Sequence, residues 1–109
     1  MTKKKIYIAG KVTGEPPHKT ALKFALAKRQ IEKLGHEAVN PIEVVGDWEC
    51  PWDLAMRKCI VALMACDMIF MLDDYKNSPG AKLELSLAEA LEIHVLYEIT
   101  DLDRKQKVY

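Results

Sequence analysis

The sequence has 109 residues, half of them hydrophobic, with 16 Lys plus Arg balanced by 16 Asp plus Glu. A chain of this length supports one hydrophobic core and no second domain, and its composition excludes a disordered or fibrous protein. The zero net charge argues against a partner that is a nucleic-acid polymer, since neutralising many phosphates calls for a basic excess.

In chain order, Ile6 to Ala9 is a short apolar run rich in β-formers that stops at Gly10, and it predicts a strand buried on both faces. Lys11 to Pro17 reads as a loop, and His18 to Leu34 as a helix with Phe24, Ala27, Ile31 and Leu34 on one face and Gly35 closing it. His36 to Asn40 predicts a second strand. A loop carrying Gly46, Trp48 and Pro51 then leads to a helix over roughly Trp52 to Ala65. Met68 to Leu72 is wholly apolar and predicts a central strand. A polar loop from Asp73 to Pro79, a helix from Pro79 to Glu92 and a strand from Ile93 to Ile99 follow, and Thr100 to Tyr109 reads as a polar, peripheral tail. Strands alternating with helices imply right-handed crossovers and a parallel sheet. The expected fold is therefore α/β, a Rossmann-like (flavodoxin-like) three-layer sandwich with a four- to five-stranded, mostly parallel sheet, forming one domain over residues 1–109.

Ligands of such sheets bind beyond the carboxyl ends of the strands. The segments expected there are 10–14, 40–52 and 73–84. The third is the richest. Ser78 fits an N-cap and Pro79 the first helical position; both either simply start a helix or help present backbone N–H groups to an anion such as phosphate. Gly80 would let a ligand approach the backbone. Glu84, one turn later among Ala81, Leu83, Leu85, Leu87 and Ala88, is either a solvated surface carboxylate or a desolvated functional one. In the first segment Gly10, Lys11, Thr13 and Gly14 match neither GxGxxG nor a Walker A loop, although Lys11, Thr13 and the loop amides offer phosphate contacts. Trp48 and Trp52 either stack on a base or cover a core edge. Cys50, Cys59 and Cys66 are odd in number and lack CxxC spacing, and His18, His36 and His94 stand far apart, so no metal site is expected. The free thiols favour a reducing, cytoplasmic setting. Neither a signal peptide nor a membrane span is legible.

Four blocks in order, YIAGKVTG at 7–14, GHEAVNP at 35–41, CDMIFML at 66–72 and SPGAKLELSLA at 78–88, resemble the nucleoside 2-deoxyribosyltransferase-like superfamily, and most closely an uncharacterised, phage-associated branch of it. The resemblance covers about residues 5–97. Members of the superfamily cleave the N-glycosidic bond of 2′-deoxynucleosides or their 5′-monophosphates, and Ser78 tips the expectation here to the 5′-monophosphate, cleaved by hydrolysis or base transfer with Glu84 attacking the anomeric carbon. The resemblance implies that Tyr7 lines the sugar site, that Ser78 helps hold a 5′-phosphate with Lys11 adding positive charge, and that no cofactor is needed. It also implies a homodimer, with a C-terminal residue such as Tyr109 reaching a neighbour's site. The sequence departs from the family at Cys59, where relatives carry an aspartate that assists the leaving base. That departure keeps a second reading open, a non-catalytic nucleotide-binding or sensing module, and a third, an interaction protein with a vestigial site.

Overall fold

The computed structural model describes residues 3–104; Tyr109 lies outside them. Four strands, β1 (Lys5–Ala9), β2 (Glu37–Val39), β3 (Met68–Met71) and β4 (His94–Leu96), form one parallel sheet in the order β2-β1-β3-β4. Tyr7 pairs with Val39 on one side and Ile69 on the other, so β1 and β3 are the central strands.

The period-two alternation of the strands sorts the core into two layers. Ile6, Ile8, Met68, Phe70 and Leu96 point to one face, where they meet Phe24, Ala27 and Ile31 of α1 (Pro17–Lys33). Tyr7, Ala9, Ile69 and Met71 point to the other, against Cys59 and Leu63 of α3 (Trp52–Met64) and Ala81 and Ala88 of α4 (Pro79–Ala90). Both faces of the central strands are covered, which is why these strands read as unbroken apolar runs. The fold is the three-layer α/β sandwich expected, with four strands among the described residues.

Three segments differ from their expectation. The loop after β2 opens with a five-residue helix, α2 (Pro41–Val45), capped by Asn40, whose Oδ1 accepts the Ile42 N–H at 2.9 Å, and closed by Gly46 at φ 67°. Five residues are too few to show a helical period, but the Asn-Pro start is a cap-and-N1 signal. Asp73–Asn77 winds into a 3-10 turn rather than an open loop. The fourth strand stops at Leu96, and Ile99–Arg104 forms a helix, α5. Its Leu102 is 1% exposed within the α1-side core, and Ile99 packs there too. Residues 99 to 102 therefore help close the α1-side core, in one cluster with Met68, Phe70 and Leu96, instead of lying peripherally.

Candidate active site at the switch point of the sheet

The chain leaves β1 for β2 on one side and returns past β1 to reach β3 on the other. The crevice between the carboxyl ends of β1 and β3 is where the strand order reverses. A cavity of about 590 Å³ opens there. Its walls are the end of β1 with the turn that follows, α2 and the loop after it, one face of α3, and the first turns of α4.

Glu84 stands at the bottom of this cavity, on the buried face of α4 and 5% exposed. Its Oε2 accepts a hydrogen bond from Tyr7 Oη at 2.6 Å. Tyr7 is fully buried on β1, so its side chain is fixed by the strand and the hydroxyl reaches α4 from below. Burial pushes the Glu84 carboxyl up to about 7, against the Tyr7 hydrogen bond, which favours the charged form. Burial, reinforced by the Glu84 charge, raises Tyr7 far above its usual range, so the phenol stays a donor. Cys59, on the buried face of α3, completes the cluster: burial raises its thiol to about 11, opposed by the adjoining Tyr7 hydroxyl. Three elements thus bring together one titratable carboxyl and two neutral donors. A carboxylate so placed can act as a nucleophile or stabilise a developing cation.

The profile described as Domain of unknown function (DUF4406) matches residues 4–97. The chain belongs to that family. Comparison with curated proteins finds no match. Among solved structures, the chain is similar to a 2-deoxyribosyltransferase from the psychrotolerant bacterium Bacillus psychrosaccharolyticus, a protein described as a biocatalyst for nucleoside synthesis. The TM-score is 0.63 at 22% identity, over 84% of this chain and 69% of that one. This DUF4406 chain therefore shares the deoxyribosyltransferase fold.

Of the residues expected at the site, Tyr7, Gly10, Thr13, Ser78, Gly80 and Glu84 all line the cavity of this DUF4406 domain. Lys11 does not. Its N–H donates to Asp74 Oδ1 at 3.0 Å and its carbonyl accepts from Lys23 Nζ, which ties that part of the loop to the Lys23–Asp74 ion pair outside the cavity. Ser78 caps α4, its Oγ accepting the Ala81 N–H at 3.1 Å. The two glycines are explained by packing. A Cβ on Gly10 would meet Leu72 Cδ1 at 2.7 Å, and one on Gly80 would meet Met56 Sδ at 2.9 Å, so the free space beside Gly80 is taken by α3 rather than left for a ligand. Trp48 and Trp52 line the cavity, 49% and 48% exposed, whereas Asp53, next to Trp52 in sequence and exposed, is not among its lining residues.

What sequence reasoning missed is the charge of the walls. Four carboxylates, Glu15, Asp47, Glu49 and Glu84, line the cavity, and among the described residues no lysine, arginine or histidine does. The α4 N-terminus is also less open to an anion than its Ser-Pro-Gly start implies. Pro79 has no N–H, Ala81 N–H goes to Ser78 Oγ, and Lys82 N–H goes to the Ser78 carbonyl at 3.0 Å, which leaves the Gly80 N–H. Glu15, Asp47 and Glu49 carry no sequence signal, because loop acids ordinarily face solvent. No group of side chains suited to a metal ion is present among the described residues, and no described helix is long and apolar enough to cross a membrane.

Proposed function

We propose that this protein is a nucleoside-processing N-glycosidase in which Glu84 attacks the anomeric carbon of a bound nucleoside, the base leaves, and water or a second base resolves the glycosyl ester. The observation that carries this reading is the buried Glu84 carboxyl, lining the switch-point cavity and held by Tyr7 Oη at 2.6 Å. With a value of about 7, the carboxyl is ionised in a substantial fraction of molecules near neutrality, and low hydration leaves it reactive towards an oxocarbenium-like centre. Tyr7 orients the carboxylate. Gly10, Thr13, Ser78 and Gly80 contribute to the walls that enclose the sugar.

The sequence resemblance pointed to a 5′-monophosphate. That finer reading rests on Ser78 and Lys11, and it is weakened by the position of Lys11 outside the cavity, the use of Ser78 Oγ as a cap acceptor, and four lining carboxylates that repel a phosphate dianion. The unphosphorylated nucleoside is the better-supported form. The homodimer and the cytoplasmic setting belong to the same reading; exposed Leu54 and Val61 on α3 and Leu83 on α4 offer apolar surface for a second copy. Cys59 favours one alternative, a nucleotide-binding module that does not cleave, because a thiol raised to about 11 is a poor acid for a leaving base.

The test is base release, by chromatography, from 2′-deoxynucleosides, ribonucleosides and their 5′-monophosphates, with Glu84→Ala alongside. Base from the wild type and not from the variant is expected, nucleosides ahead of monophosphates. Equal, negligible release from both proteins refutes the reading, and nucleoside binding without release shifts it to the binding module.

A further inference from the structure

A glycosidase built on Glu84 must also deal with the base that leaves. A neutral purine or pyrimidine departs as an anion unless something protonates it, and general acids usually supply that proton. The two donors nearest Glu84 are ill-suited. Tyr7 spends its proton on the Glu84 Oε2, and Cys59 offers only a buried thiol. Meanwhile the rest of the cavity is built for positive charge. Asp47 and Glu49 flank Trp48 on the wall formed after α2, Trp52 stands beside Gly80, and no cationic side chain lines the cavity among the described residues. Half-exposed indoles that share a cavity with carboxylates attract a cationic aromatic ring by stacking and by cation–π and Coulomb attraction together.

We infer that the substrates of this cavity are nucleosides whose base carries a fixed positive charge, such as N7-alkylated purines or N-glycosyl pyridiniums, seated between Trp48, Trp52 and the Asp47 and Glu49 carboxylates. The inference rests on the N-glycosidase reading and names its substrate class. The chemistry balances without a general acid. A Glu84 carboxylate oxygen forms a bond to C1′ as the C1′–N bond breaks, and the bonding pair returns to the ring nitrogen and cancels its charge. The base leaves neutral. Water then cleaves the glycosyl ester, giving the free sugar, the Glu84 carboxylate and one proton released to solvent. A thiol in place of an acid at Cys59 costs this reaction nothing, because no proton has to reach the base.

The experiment compares 7-methylguanosine with guanosine and guanosine 5′-monophosphate. Kd is measured by calorimetry in the non-cleaving Glu84→Gln background, and base release is measured with wild type and Glu84→Ala after subtracting spontaneous hydrolysis. Binding removes intrinsic lability from the comparison. The expected result is 7-methylguanosine binding about tenfold or more tightly than guanosine, with that ratio falling to about two when Asp47→Asn and Glu49→Gln are added, and Glu84-dependent release of 7-methylguanine. Guanosine or its monophosphate bound equally or better overturns the inference; if the wild type and not Glu84→Ala releases guanine from them, the N-glycosidase reading still stands. Preferential binding of the cation with no Glu84-dependent release from any nucleoside overturns the N-glycosidase reading and the substrate class with it.

Discussion

Replacing Glu84 with Gln removes one ionisable proton site and keeps the shape and the oxygen that accepts from Tyr7 Oη. The effect on stability is set by pH. In the unfolded chain the carboxyl titrates near its ordinary value of 4.5, whereas burial holds it up to about 7 in the fold. Between those values the native protein binds a proton that the unfolded chain has released, so native stability falls as pH rises through that window. Over the interval, at about 1.4 kcal/mol per pH unit, the wild type loses roughly 3 kcal/mol, a large fraction of the stability of a small domain. The variant loses none of it. It carries instead a constant cost for its amide N–H groups, which is the same at both ends of the window. Urea unfolding of both proteins at about pH 5 and about pH 8.5 isolates the ionisation, because every other titrating group is shared. The difference between them is expected to move by about 2–3 kcal/mol in favour of the Gln variant as pH rises. A difference that stays constant within about 0.5 kcal/mol refutes the argument: Glu84 then titrates as an exposed carboxyl, and the dry site on which its proposed role depends does not exist.

Two further substitutions probe the supports of the same site. Tyr7→Phe deletes the hydrogen bond that favours the charged carboxyl, so the fall in stability and the rise in base release with pH should both shift to higher pH, alongside a loss of about 1–2 kcal/mol for the unpaired buried group; an unchanged pH profile shows that the 2.6 Å contact does not tune Glu84. Leu102→Ala should cost about 2–5 kcal/mol by chemical denaturation, because Leu102 is 1% exposed in the α1-side core; a loss below about 0.5 kcal/mol would show that the segment is peripheral after all.

The central strands β1 and β3 were legible because each is short, apolar and followed by Gly10 or an acidic pair, and because burial on both faces removes the polar alternation that would otherwise confuse strand with helix. The cavity's location followed from the strand order alone, since any chain that runs β1 to β2 and back across to β3 must leave a gap where the two directions part. Helix α5 was not legible. Ile99 and Leu102 are its two apolar residues packed on the core, too few to outweigh the polar residues around them, and their inward turn is a matter of tertiary packing with the α1-side core.

The chemistry of the site divides along the same line. Glu84 could be singled out because a carboxylate at an apolar position of a helix is an anomaly within its own neighbourhood. Lys11 stood out for a related local reason, a cation in a glycine-punctuated loop, but it does not line the cavity, and its backbone is held by Asp74 and Lys23, sixty-three and twelve residues away in sequence. The charge of the walls lies one level further out. Glu15, Asp47 and Glu49 are unremarkable one at a time, and they acquire meaning only when α2 and the turn after β1 close on the same space as Glu84. A sequence motif singles out one side chain, whereas the charge lining a cavity is a property of the whole enclosing surface, which is why Glu84 could be picked out by its spacing from Gly80 while the acidic walls could not.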